Sequence, residues 1–344
     1  MKRLLIGLAA FALAASLWAS GSKEEAAELG PGLYAEITTG RGTMVFALDY
    51  RNVPLTVANF CGLAQGTLPN DAKGPGEPFY DGLTFYRGAP GYAVFTGDPA
   101  ENGSGGPGYT LPREKGSRFD TGTPGTLVMD GFASESSGSR FFITIEGDDF
   151  LNRRYTAFGS LVSGSKVLSK IRRGDIVESV AIRRVGPEAE ALPNPEDVFA
   201  ALYDAARQAE VDGLADIDPA LAAVVKGMGD ARQKTASGIY YQVLAEGTGE
   251  KPKMNSRVSV HYTGTLLNGQ VFDSSRSRGQ TFDFTLGVDG VIPGWVQMVM
   301  DMKVGELRKA VIPPDLAYGK QGYGPIAPNS WLVFEMELVG IVQE

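Results

Sequence analysis

The chain has one cysteine, Cys61, and one histidine, His261, in 344 residues. A single cysteine offers no internal disulfide. A zinc site draws on several His and Cys ligands, and this stock all but removes that class. A Ser-His-Asp triad would have to recruit His261. Positive charge is also in deficit: 32 Lys and Arg stand against 40 Asp and Glu, for a net charge of −8. Such a surface repels phosphate backbones and anionic headgroups, so nucleic acid is not an expected partner. Long apolar runs are missing except Leu4–Trp18, which falls short of the ~20 residues of a membrane helix. Lys2 and Arg3 precede that run, and Ala19-Ser20-Gly21 end it with small residues. Residues 1–21 therefore read as a signal peptide, removed on export to the periplasm or cell envelope, with an uncleaved anchor as the other reading. No cysteine lies nearby to carry a lipid.

What is abundant is glycine, 45 residues, well above its usual ~7% share. That excess favours strands joined by tight turns, and the length favours two cores. Residues 33–48 read as a hairpin with Met44, Phe46 and Leu48 on one face. Pro54 starts a helix whose stripe is Val57, Phe60, Cys61 and Ala64, so Cys61 reads as a small buried hydrophobe. Strands are expected at Thr126–Met129, Arg140–Ile145 and near Ile176–Val185. Phe85-Tyr86-Arg87 reads as a strand with Arg87 on the side of Phe85; Arg140 shares a face with Phe142 while Phe141 and Ile143 turn inward. Residues 187–235 change character. Asn194-Pro195-Glu196-Asp197 and Asp218-Pro219 are helix starts. The expected stripes are Val198, Leu202, Ala205 and Ala209, ending at Gly213, and then Leu221, Val224, Val225 and Met228. These stripes must be buried, on a domain or in a homodimer.

From Gly238 the period of two returns. Val258, Val260 and Tyr262 face one way, Ser259 and His261 the other, and Asn268-Gly269 is a hairpin turn. The inward set is rich in aromatics: Tyr262, Phe272, Phe282, Trp295, Tyr318 and Phe334. Buried Tyr and Trp need polar partners, so the pattern fits either an aromatic core or a cavity with polar handles. The run VHYTGTLLNGQVFDSSRSRGQTFDFTLGVDGVIPGW (Val260–Trp295), with PPDLAYG (Pro313–Gly319) and WLVFEMEL (Trp331–Leu338), resembles the FKBP family of prolyl isomerases. The resemblance implies a curved antiparallel sheet around a short helix. It also implies a proline pocket lined by Tyr262, Phe272, Asp273, Arg278, Phe282, Val291, Ile292, Trp295, Tyr318, Ile326 and Phe334. Trp295 would be the floor; the Ile292 N–H and the Tyr318 hydroxyl would bind substrate carbonyls. Asp273 and Tyr318 would be its catalytic residues, and the site would accept macrolide immunosuppressants. Gly290 and Tyr323 depart from common family residues.

Residues 33–186 resemble the cyclophilin family along their whole length, through VPLTVANF (Val53–Phe60), FYRGAPGYAVFTGD (Phe85–Asp98), GSGGPGY (Gly103–Tyr109), GSRFFITI (Gly138–Ile145) and FLNRRYTAFG (Phe150–Gly159). This implies an eight-stranded antiparallel barrel with a proline groove on its outer face. Arg87 would be catalytic, bonding the prolyl nitrogen, and Tyr92, Phe142, Phe150, Leu151 and Tyr155 would form the groove. Ala93 replaces a family methionine, Phe95 the glutamine that holds the arginine, and Arg140 a second glutamine. Asp130-Gly131 replace an Ala-Asn pair.

Other motifs carry less. Gly103–Gly108 spells G-x-G-x-x-G but neither follows a clear strand nor opens a helix. Ser163–Lys166 spells S-x-x-K without its companion motifs, and Asp148-Asp149 lacks calcium-loop spacing. The expectation is a mainly β chain in four parts: residues 1–21, a cyclophilin-like domain 33–186, a helical linker 187–235 and an FKBP-type domain 236–344. Its function would be peptidyl-prolyl isomerisation on unfolded or partly folded Pro-containing chains, with no metal or cofactor. A holdase or adaptor with little turnover, above all in the cyclophilin-like half, is the rival. The chemistry suits the inventory, because twisting a peptide bond costs ~18–20 kcal/mol of lost resonance and needs positioning and donors, not a nucleophile.

Overall fold

Alternating apolar residues build two antiparallel sheets with helices between them. The computed structural model describes residues 29–132, 135–235 and 237–342; the leader expected over residues 1–21 lies outside the described residues. The first sheet has β1 (Gly32–Thr39), β2 (Gly42–Leu48), β3 (Arg87–Ala89), β4 (Ala93–Thr96), β5 (Thr110–Pro112), β6 (Thr126–Phe132), β7 (Glu135–Thr144), β8 (Thr156–Ser163) and β9 (Val177–Val185). Eight of them run in the order β3-β4-β7-β6-β8-β2-β1-β9, and the short β5 pairs with β7. The ends are drawn together where residues 83–85 meet 174–177: Thr84 bridges Ile176, Phe85 N–H donates to Asp175 at 2.8 Å and Val177 N–H to Leu83 at 2.8 Å. That seam closes the barrel.

Met44, Phe46, Leu48, Phe141, Ile143 and Phe158 point into the barrel core. The helix α1 (Pro54–Gln65) adds Val57, Phe60 and the buried Cys61. Burial pushes the Cys61 thiol up to about 12, so it is an inert packing group. No side chain of the α1 N-cap residue satisfies the first turn; Glu114 does so from a distance, accepting from Leu55 N–H at 3.1 Å and Thr56 N–H at 2.7 Å. The short α2 (Ser165–Leu168) follows β8.

Three helices then lead to the second sheet: α3 (Pro187–Glu190), α4 (Pro195–Ile217) and α5 (Pro219–Lys226). Two details of α4 differ from the sequence reading. The helix runs through Gly213 to Ile217, and Ala205 and Ala209 are exposed while Phe199, Tyr203, Val211 and Leu214 turn inward. Alanine buries too little area to choose a helix face against two aromatics. Phe199 stacks on Tyr203 at 5.0 Å, and both reach Tyr109 of the barrel, at 5.5 and 5.9 Å. At the other end Val211, Leu221, Ala222, Val225 and Met228 pack on Tyr240, Val311 and Val333 of the second sheet. Asp218 caps α5, accepting from Ala220 N–H at 2.9 Å and Leu221 N–H at 3.2 Å.

The second sheet holds β10 (Gln233–Lys234), β11 (Tyr240–Ala245), β12 (Arg257–Leu266), β13 (Val271–Ser274), β14 (Phe282–Thr285), β15 (Leu307–Ile312) and β16 (Leu332–Val342). Its order is β10-β11-β15-β16-β12-β13, with β14 on β12. Helix α6 (Ser275–Arg278) follows β13, and α7 (Pro293–Asp301) places Trp295, Met298 and Val299 against the sheet residues Val258, Val260, Met336 and Leu338. The outward His261 sits beside Ser275, Nδ1 to Oγ 3.1 Å.

Candidate functional site

The second sheet carries an aromatic cluster at the entrance of α7. Trp295 is 5% exposed and meets its neighbours edge to face: Tyr262 at 4.7 Å and 82°, Phe334 at 5.4 Å and 87°, Phe282 at 6.0 Å and 79°. These are favoured quadrupole geometries. Phe272 closes on Phe334 at 5.7 Å. That approach depends on Gly264, where a Cβ would collide with the Phe272 and Phe334 rings. Pro293 holds Ile292 extended at the helix entrance, φ −60° and ψ 145°. Ile326 is buried in the same cluster, and Val291, Ile292 and Tyr318 pack half-buried against that cluster.

Polar groups sit at the rim and floor. The Tyr262 hydroxyl and Arg278 Nη1 donate to the two carboxylate oxygens of Asp273, and Arg278 Nη2 donates to the Tyr262 oxygen at 3.1 Å. Burial alone would raise the Asp273 carboxyl, but the bonds from Tyr262 and Arg278 outweigh it and hold the group below its usual range. Burial, then Asp273, pushes the Tyr262 hydroxyl up, and burial does the same to Tyr318. Both stay neutral donors near pH 7. Tyr318 lies flat on Tyr323, 5.2 Å apart at 13°. At the floor, the buried Nε1 of Trp295 has no hydrogen-bond partner among the described residues. Of the side chains expected to line a proline pocket, Tyr262, Phe272, Phe282, Trp295, Ile326 and Phe334 lie in this cluster, Val291, Ile292 and Tyr318 pack against it, and Asp273 and Arg278 bond at the Tyr262 hydroxyl.

The first sheet carries a second aromatic cluster, on the face away from the barrel core. Tyr86, Ala93, Phe95, Val128, Phe142 and Leu151 form a buried cluster with Tyr92 and Tyr155 packed on it. Phe142 is the hub: it stacks on Tyr92 at 6.4 Å and 22°, meets Tyr155 edge-on at 5.5 Å and touches Phe95 at 5.0 Å. Asp148 sets the turn beneath, accepting from Phe150 N–H at 2.9 Å. Phe150 itself stays outside the cluster, 61% exposed, with the Arg154 guanidinium 4.1 Å over its ring.

Arg87 corrects one expectation. It lies on the outer side over Phe95, its guanidinium 4.5 Å from the ring centroid, while Phe85 enters the barrel core. The strand begins only at Arg87; residues 83–85 spend their backbone bonds on the barrel seam, so a strand alternation does not run through them. Arg140 and Phe142 do share the outer face while Phe141 and Ile143 turn inward. Two ring contacts, Tyr86 with Phe95 at 6.5 Å and Tyr323 on Tyr318, were not foreseen from the sequence, although both residues were noted there.

The glycine-rich loop has an internal role. Asp98 is fully buried and accepts from Ala100 N–H at 2.8 Å, Asn102 N–H at 2.9 Å and Gly103 N–H. A Cβ on Gly105 would strike that carboxylate. Among the described residues no three His, Cys, Asp or Glu gather as a metal set.

Comparison with known proteins identifies both halves. Residues 248–339 match the family model of the FKBP-type peptidyl-prolyl cis-trans isomerases, and residues 34–186 match that of the cyclophilin type peptidyl-prolyl cis-trans isomerases. FK506-binding protein 1 of Dictyostelium discoideum is 52% identical over 103 residues, 30% of this chain and 96% of that protein. The FKBP-type peptidyl-prolyl cis-trans isomerase FkpA of Escherichia coli (strain K12) is 50% identical over 109 residues, 31% of this chain but only 40% of FkpA. The crystal structure of FkpA aligns over 46% of this chain and 73% of its own, at 36% identity and a TM-score of 0.34. A pocket of edge-to-face aromatics and a groove under an exposed arginine are thus joined in one polypeptide: the chain belongs to the FKBP-type peptidyl-prolyl cis-trans isomerases and carries a cyclophilin-type isomerase domain ahead of that unit.

Proposed function

We propose that the pocket over Trp295 is the principal isomerase site and that it acts on proline in unfolded or partly folded chains. The observation that carries this is the closed aromatic box around Trp295 with its polar rim of Tyr262, Asp273 and Arg278. The prolyl ring lies on the indole between Tyr262, Phe282 and Phe334. The planar amide is more dipolar than the twisted one, so a dry aromatic wall disfavours the ground state more than the transition state. The Ile292 N–H and the Tyr318 hydroxyl hold the flanking carbonyls, and Asp273 fixes Tyr262 and Arg278 at the mouth. Each ~1.4 kcal/mol gained in this way is tenfold in rate. Macrolide immunosuppressants would occupy the same box.

In the first groove Arg87 donates to the prolyl nitrogen as it pyramidalises, while the ring packs over Phe142 and Leu151. The basic start and apolar run of residues 1–21 support an exported protein working on exported clients. The test is exchange spectroscopy on a Leu-Pro peptide with the full-length chain. Asp273→Val should remove most of the catalysed exchange; a variant equal to wild type would remove the pocket from the mechanism.

A further inference from the structure

Arg87 stands opposite Phe95 on a tight hairpin: Arg87 pairs with Phe95 and Ala89 with Ala93, and Gly91 takes the positive φ of 73° that the turn needs. Directly opposed side chains on one sheet face lie within reach of each other. Here the ring is the fixed partner. Phe95 is 5% exposed and wedged between Phe142 at 5.0 Å and Tyr86 at 6.5 Å. The guanidinium is exposed and rests 4.5 Å above that ring. No carboxylate or amide side chain bonds it among the described residues.

We propose that Phe95 is the positioning residue for Arg87, holding its guanidinium by the ring face where a hydrogen-bonding amide would otherwise stand. This rests on the reading of Arg87 as the donor to the prolyl nitrogen. The ring quadrupole attracts the cation at this distance. A face contact also restrains the guanidinium plane without using any of its five N–H groups. A glutamine in the same place would consume one of those donors; the phenyl face leaves them all for substrate. Asp130 neutralises Arg140, its Oδ2 3.2 Å from Nε, so the second cation does not push Arg87 off the ring. Phe95 lies beneath Arg87 and acts through it, so its loss falls on kcat and not on KM.

The experiment uses the full-length chain carrying Asp273→Val and Tyr318→Phe, which leaves turnover to the groove. Phe95→Leu keeps an apolar side chain and removes the ring; Phe95→Tyr restores the ring. Phe95→Leu should lower kcat about tenfold with KM little changed, and abolish the ring-current shift of the Arg87 Nε–H resonance. Phe95→Tyr should recover both. An Nε–H resonance without a ring-current shift in the parent chain would overturn the proposal, whether or not Phe95→Leu folds. So would a Phe95→Leu chain that keeps the parent kcat. Arg87→Ala without effect on turnover in this background would instead refute the reading of the groove as an isomerase site, and the resonance would then decide the positioning alone.

Discussion

The Nε of Arg140 lies 3.2 Å from Oδ2 of Asp130, and its Nη1 donates to the Gly105 carbonyl at 2.6 Å. The pair is largely shielded, 19% and 24% exposed. An arginine beside the groove is therefore neutralised by the aspartate that accompanies it in sequence. Asp130→Ala leaves the guanidinium half-satisfied in a shielded place and should cost about 1 kcal/mol of stability. It should also weaken peptide binding at the groove, because Arg140 would then add its charge near Arg87. Urea unfolding and peptide titration check both, and wild-type behaviour in both contradicts the pairing.

The Asp273 carboxyl is held below its ordinary range by Tyr262 and Arg278, so its stabilising bonds are present above the unfolded value of about 3.9 and are lost as pH falls through the lower folded value. Peptide binding at the Trp295 pocket should be flat from about pH 5 to 8 and fail only below about pH 4. Fluorescence titration at each pH follows it. A midpoint between pH 5 and 7 would contradict the assignment.

Trp295 is walled in by Tyr262, Phe282, Phe284 and Phe334. Trp295→Ala should cost about 3–5 kcal/mol. Trp295→Phe keeps an aromatic floor and removes a buried N–H that has no partner among the described residues, so the burial cost of that donor disappears with it. It should stay within about 2 kcal/mol of wild type. Thermal unfolding separates the two, and equal losses would show that the ring has no special place in the box.

The helices α4 and α5 bury their apolar faces on the chain's own sheets. Removing the Asp218 cap by Asp218→Ala should cost about 1 kcal/mol. Amide exchange through residues 195–226 should be slow, and Phe199→Ala should speed it in the first half of α4 only. Fast exchange throughout in the wild type would show a loose tether instead.

One wall of the second sheet's aromatic cluster was legible because strict alternation fixes a face: Val258, Val260 and Tyr262 could turn inward only together, and Asn268-Gly269 set the hairpin between β12 and β13; Asp273, Arg278, Ile292 and Ile326 came only with the resemblance to the FKBP family. The long β7 was legible from Phe141 and Ile143 for the same reason. The strand β8, Thr156–Ser163, was not foreseen: Gly159, Ser160 and Ser163 give it little β-propensity, and pairing with β2 and β6 makes it a strand. The face of α4 was only half legible, because its alanines carry too little area to vote. The side of Arg87 was hidden by the barrel seam, a long-range contact that no local pattern announces.

The central claim is that isomerisation is divided unequally between two sites in one chain. Its most direct measurement is the catalysed cis/trans exchange of a Leu-Pro peptide by three full-length variants: Asp273→Val with Tyr318→Phe, Arg87→Ala, and all three substitutions together. The account predicts that the first loses most of the turnover, the second a minor share, and the third returns to the uncatalysed rate. Loss of most activity on Arg87→Ala, or catalysis surviving the triple substitution, would contradict it.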